Sequence, residues 1–192
     1  MRPRTVTGQA LAMSDMWAEG AEDPRDYGNP VGEKATLRGY LSNYRLTLGM
    51  KCDGLDAEQL ARRSVQPSTM SLLGLIRHMA SVEHHWFQRV LQGHPEQPRL
   101  YRTADDRDAD FNGAIGEQAV VDEAFASWRQ QIARADAWLD ELAEADLGRE
   151  VPLGDDDTVS IRDVLVHMVE EYARHAGHAD LIRERIDGRT GQ

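Results

Sequence analysis

The chain has 192 residues, 41% of them hydrophobic, and a net charge of −11 at pH 7. That length supports one domain with a full core, and the acidic balance excludes a general nucleic-acid surface, which needs clustered Lys and Arg. No apolar run reaches the roughly 20 residues of a membrane span, no signal-peptide core opens the chain, and Cys52 is the only cysteine. The expectation is a cytoplasmic protein without disulfides or membrane contact.

Residues 1–32 hold three Pro, four Gly and no sustained apolar period. They are expected to form a flexible leader with one short helix near Ala10–Trp17. Helical periodicity starts near Glu33, where Leu37, Tyr40, Leu41, Tyr44 and Leu48 share one face. Gly54 ends that helix, and Asp56 caps a short one through Arg63. A second long helix opens at Thr69–Ser71 and runs to Gln92, with Leu72, Leu75, Ile76, Met79, Val82, Trp86 and Val90 inward. Gly93 and Pro95 stop it.

The stretch His94–Gly116 is polar and reads as a loop. Asp108-Ala-Asp110-Phe-Asn112-Gly113 matches the first half of a calcium loop, but Ala119 stands where the bidentate Glu belongs. No helix is expected before it, so it reads as a solvated acidic loop. A third helix spans Glu117–Glu144, with Val121, Phe125, Trp128, Ile132, Ala135 and Leu139 inward. Arg149–Val159 is turn-rich, carries Asp155, Asp156 and Asp157, and holds a brief extended piece at Val151–Leu153. Ser160 caps a last helix ending at Gly188, and 189–192 form a tail. The pattern predicts an all-α four-helix bundle over residues 33–188, with a short extra helix and long loops.

Of seven histidines, His78, His84 and His85 lie on the second long helix and His167, His175 and His178 on the last. Glu171 and His175 are four apart, so both side chains leave one face of the last helix, within a mostly apolar stripe. A carboxylate there needs protonation or a positive partner, and bundles supply a metal from inward carboxylates and imidazoles. His78 borders the apolar stripe of the second helix, beside Gly74. An interior Gly costs about 1 kcal/mol relative to Ala, so Gly74 implies close helix approach or room for a ligand.

His78, Glu171 and His175 together offer two imidazoles, one carboxylate and an open position, which suits Zn²⁺, with Fe²⁺, Mn²⁺ or Ni²⁺ as alternatives. The same spacing also serves a buried histidine hydrogen-bonded to a glutamate without metal. His178 could replace Glu171 or add a ligand, and His85 and His167 could orient ligands from behind. His84 is offset from the stripe and is expected in solvent. Cys52 has no His nearby in sequence and is discounted as a nucleophile. Trp86, Trp128 and Trp138 read as core or interface residues.

The stretch Ser71-Leu-Leu-Gly-Leu-Ile-Arg-His78-Met-Ala-Ser-Val-Glu83-His-His-Trp86-Phe87 resembles the first histidine motif of the DinB-like family, in its actinobacterial mini-circle protein branch. Val166-His167-Met-Val-Glu170-Glu171-Tyr-Ala-Arg-His175-Ala-Gly177-His178-Ala-Asp-Leu-Ile-Arg183-Glu184 resembles the C-terminal motif of that branch. With Leu37–Arg45 and Gly54–Leu55, the resemblance covers about residues 33–188. It implies a four-helix bundle with one long crossover, often dimeric, and a Ni²⁺ or Zn²⁺ site built from one His on the second helix and a pair four apart on the last. Many relatives use His-x-x-x-His for that pair. Aligned on Gly177, this chain has Glu171 and His175 there, with His178 in the place of a Gln, and resembles the mycothiol-dependent maleylpyruvate isomerases in its Glu.

The resemblance implies an enzyme using mycothiol or another small thiol, an S-transferase or isomerase acting on a small molecule. In that reading His178 or His85 could shuttle a proton, and Tyr172 and Arg174 could line the substrate cavity beside Gly74 or hold a carboxylate on the substrate. The alternatives are a non-catalytic metal- or ligand-binding stress protein and a metal-free dimeric scaffold.

Overall fold

The computed structural model describes residues 23–154 and 156–190. The helix expected near Ala10–Trp17, Asp155 and the last two residues of the tail lie outside them. Helix α1, Glu33–Met50, buries Leu41 and Leu48 and is followed by a turn. Residues 23–31 form neither helix nor strand and are bonded to it. The Asp26 N–H donates to Asn43 Oδ1 (3.1 Å), and the Arg25 guanidinium donates to Thr47 Oγ1 (3.2 Å).

The short helix α2, Ala57–Ala61, stops two residues before the expected Arg63. Its start is a reciprocal cap. The Gln59 N–H donates to Asp56 Oδ1, and the Asp56 N–H donates to Gln59 Oε1, so two orphan amides are satisfied. Helix α3, Leu72–Glu83, begins where Ser71 Oγ accepts from the Gly74 N–H (3.1 Å). From His84 to Leu91 the same helix continues as a π-helix, a winding the apolar spacing does not reveal.

The polar stretch after it is not all loop. Helix α4, Ala109–Asn112, lies against α3. Arg77 of α3 fastens it there, donating to the carbonyls of Asp110 (2.9 Å) and Ala109 (3.0 Å). Helix α5, Gln118–Glu141, buries Val121, Ala124, Trp128, Ala135 and Leu139. A 3-10 turn, Glu144–Gly148, and a small antiparallel hairpin follow. In the hairpin, β1 (Glu150–Pro152) pairs with β2 (Thr158–Ser160), Val151 facing Val159.

Ser160 then caps helix α6, Ile161–Asp187, its Oγ accepting from the Asp163 N–H. Gly188 ends α6 in the left-handed region, φ 79°, and its N–H closes onto the Glu184 carbonyl. A residue with a Cβ adopts that conformation at a cost, which is why Gly terminates helices so often.

Helices α1, α3, α5 and α6 form the bundle, α3 against α5 and α1 against α6, with α3 and α6 also in contact. The core is a continuous apolar cluster that includes Leu72, Leu75, Ile76, Met79, Phe87, Leu139, Val164, Leu165 and Met168. Among the described residues, no helix is long and apolar enough to cross a membrane. The α3–α6 contact sets the position of the histidines.

Candidate metal centre

His78 projects from α3, and Glu171 and His175 project from successive turns of α6. Their ligand atoms all lie within 4.8 Å of one another. His78 Nε2 and His175 Nε2 each stand 3.4 Å from Glu171 Oε1. Ligands about 2.0–2.1 Å from a tetrahedral zinc are separated by roughly 3.4 Å, so two edges already have that length. Two imidazole nitrogens, one carboxylate oxygen and partial burial therefore fit a divalent ion with a position left for another ligand.

Behind His78 stands Asp110 of α4, its Oδ2 2.8 Å from His78 Nδ1. Asp110 is buried, and the next residue, Phe111, stacks on the His78 ring at 5.3 Å. Burial disfavours the charged imidazole, but the Asp110 and Glu171 carboxylates outweigh it and push the His78 pKa up to about 9. The His175 and His78 rings hold Glu171 well below the usual carboxylate range, against the effect of its burial.

Asp110 falls in a stretch whose composition reads as a solvated acidic loop, so the sequence does not mark it as part of the site. Its neighbour in space is 32 residues away, and no periodicity links the two. The available signal was Gly74. A Cβ there would come 2.7 Å from Phe111 Cδ1 and 3.1 Å from Ser71 Oγ. The glycine therefore admits α4, rather than opening space for a ligand.

The other candidates divide by position. His178 Nδ1 lies 3.3 Å from His175 Nδ1, on the edge of that ring away from Glu171. It backs His175 and stands apart from the three converging ligand atoms. His85 lines the cleft that His78 also lines, and His167 packs edge-on against Trp86 at 4.9 Å. His84, expected in solvent, is buried, because the chain after the π-helix returns over it and Gln97 Oε1 stands 3.1 Å from its Nε2.

The three residues expected to line a substrate cavity lie elsewhere. Gly74 is covered by Phe111. Tyr172 is fully buried, donating to Glu83 Oε1 (2.8 Å) and accepting from Trp128 Nε1 (2.8 Å). Arg174 is exposed and pairs with Glu170. The cleft that reaches the site, about 280 Å³, is walled instead by His78, His85, Trp86, Tyr101 and the arginines of the 99–107 loop. Cys52 is buried, and burial pushes its thiol up to about 12.

A solved structure, that of a conserved protein from Enterococcus faecalis, matches 83% of this chain and 99% of its own with a TM-score of 0.58 at 14% identity. A likeness at that identity concerns the fold alone. No curated protein matches the chain. The profile of the mycothiol-S-transferase family matches residues 36–188, a range that contains all four bundle helices, His78, Asp110, Glu171 and His175. The chain belongs to the mycothiol-S-transferase family, a DinB-like family.

Proposed function

We propose that this protein is a metal-dependent S-transferase or isomerase that uses a mycothiol-type thiol, with a divalent ion, Zn²⁺ or Ni²⁺, on His78, Glu171 and His175. The observation that carries the reading is the approach of both Nε2 atoms to the same Glu171 oxygen at 3.4 Å, with a carboxylate behind His78. An ion held there would lower the pKa of a bound thiol, so that it enters the reaction as thiolate.

The chain's own residues prepare the site. Asp110 accepts the Nδ1–H of His78, so Nε2, which faces Glu171, is the nitrogen that would give up its proton to bind an ion. His178 is kept neutral, mainly by desolvation and also by His175 and Arg174. It can therefore accept the Nδ1–H of His175, which leaves that Nε2 free as well. Glu171, held ionised, supplies the one negative ligand. Cys52 is buried and its thiol remains protonated, so the nucleophilic sulfur comes from outside the chain.

The test is elemental analysis of tag-free protein with calorimetric titration of mycothiol. The expected result is about one equivalent of Zn or Ni, lost in His78→Ala and in His175→Ala, and thiol binding only to the loaded parent. Metal without thiol affinity would assign a non-catalytic metal-binding protein. No metal after added Zn²⁺ or Ni²⁺ would overturn the reading.

A further inference from the structure

Arg77 precedes His78 on α3 and is buried. A buried guanidinium needs its donors satisfied, and this one directs them away from its own helix. Nε donates to the Asp110 carbonyl (2.9 Å) and Nη2 to the Ala109 carbonyl (3.0 Å), both of α4. Nη1 lies 3.5 Å from Glu123 Oε2 of α5. The flat face of the group covers the Tyr101 ring at 4.1 Å, and the Tyr101 hydroxyl donates to the other Glu123 oxygen (2.7 Å). Gly113 makes room for this arrangement, because a Cβ there would come 2.7 Å from Arg77 Nη2.

Two of these partners bear on the site. Asp110 meets His78 Nδ1 with its side chain (2.8 Å) while Arg77 holds its carbonyl. A helix of four residues is too short to be stable by itself, so the place of that carboxylate depends on what fastens α4. Tyr101 walls the cleft that His78 also lines. It is left-handed, φ 50°, a conformation a large side chain holds only when its surroundings impose it. The Arg77 stack and the Glu123 bond are such surroundings, and Ser81 Oγ adds a bond to the Leu100 carbonyl (3.0 Å).

Lysine would not serve in this position. An ammonium is a point charge without a rigid fork or a flat face, so it cannot bond both carbonyls and cover a ring at once. We infer that Arg77 is a positioning residue that joins the metal centre to the cleft wall, setting His78 through Asp110 and the 99–107 loop through Tyr101, so that metal occupancy and the order of that loop are coupled.

This inference rests on the metal site of the proposed function, and the experiment separates the two. Amide hydrogen exchange over residues 99–107 and 109–113 is followed by mass spectrometry on the full chain, metal-free and zinc-loaded, for the parent, Arg77→Lys, Arg77→Met and Tyr172→Phe. The last perturbs a buried hydrogen bond remote from Arg77. Without metal, both Arg77 variants should speed exchange in both segments about tenfold or more, and Tyr172→Phe should not. Zinc should slow exchange over 99–107 in the parent and fail to do so in the Arg77 variants.

Chelator competition on the same samples should show zinc affinity lowered about tenfold or more in both Arg77 variants. In an Asp110→Asn background the same substitutions should cost little further affinity, because the route through Asp110 is already broken. Arg77→Lys, which keeps the charge, carries every comparison if Arg77→Met does not fold. Parental zinc affinity in the Arg77 variants, a loss that adds in full to that of Asp110→Asn, faster exchange in only one segment, or no effect of zinc on the loop of a zinc-loaded parent would each overturn the inference. A parent that takes up no zinc would overturn the metal reading and with it the coupling, while the metal-free exchange would still show whether Arg77 fixes both segments.

Discussion

Asp110 Oδ2 stands 2.8 Å from His78 Nδ1, on the far side of the ring from Glu171. A carboxylate in that position fixes the tautomer and the ring plane of a ligating histidine, and its removal typically lowers metal affinity about 10–100-fold. Asp110→Asn is expected to do so with the fold retained, because the amide can still bond the ring but no longer favours a single tautomer. Competition with a chromogenic chelator measures it, and an affinity equal to the parent's would show that Asp110 plays no part.

The protonation of His78 adds a second prediction. In the metal-free protein its pKa is raised from 6.5 to about 9, so an incoming ion must displace a proton throughout the neutral range. Apparent zinc affinity should therefore fall about tenfold per pH unit below 9 from this group alone. The same shift acts on stability with the opposite sign. A raised histidine pKa stabilises the metal-free fold fully below 6.5, and the contribution is lost as pH rises through about 9. Glu171, depressed from 4.5, contributes fully above 4.5 and is lost as pH falls below it. The stability difference between metal-free parent and His78→Gln should be largest between those two ordinary values and should shrink toward pH 9. A difference that does not change with pH would contradict the pairing.

At the scale of elements, the site depends on how α4 seats on α3. Gly74→Ala improves local helix propensity by about 1 kcal/mol, yet its Cβ would meet the Phe111 ring at 2.7 Å and the Phe111 Cα at 3.4 Å. Overpacking of this kind costs about 1–3 kcal/mol, and the displaced segment carries Asp110. The expected outcome is a lowered melting temperature of the metal-free protein together with weaker zinc binding. A stabilised variant with unchanged affinity would mean that α4 yields freely.

These elements also show what the sequence makes legible. The helix starts at Ser71 and Ser160 and the stop at Gly188 are local chemistry, a capping hydroxyl or a left-handed glycine, and they fall where spacing places them. Glu171 and His175 are paired by the helical repeat alone. The His78–Asp110 contact depends on a four-residue helix held by Arg77, and so short a segment shows no period. The π-helical turn His84–Leu91 is equally silent, because its apolar residues Phe87, Val90 and Leu91 read as ordinary helix.

Across the whole molecule, one buried polar network ties together all four bundle helices. Arg45 of α1 forms a double hydrogen bond to Glu83 of α3, at 2.7 and 2.8 Å, and reaches Asp136 of α5 at 2.8 Å. Tyr172 of α6 donates to the same Glu83 Oε1 and accepts from Trp128 of α5. Glu83 is fully buried and Arg45 nearly so. Removing one member of such a pair leaves an uncompensated charge in the core, so Glu83→Ala is expected to cost about 3–5 kcal/mol. Tyr172→Phe leaves the ion pair intact and strands the Trp128 N–H, for about 1–3 kcal/mol.

The Tyr172 hydroxyl donates directly to Glu83, so their effects should not add, and the double variant should differ from the sum by about 0.5–3 kcal/mol. Tyr172 adjoins Glu171 in sequence but points into the core, so Tyr172→Phe is expected to lower stability while keeping the full metal content of the parent. Urea titration of the four metal-free proteins and elemental analysis of the loaded ones test this. If metal were lost with Tyr172→Phe while the bundle stayed folded, the network would be setting the register of α6 against α3 as well as the stability of the core.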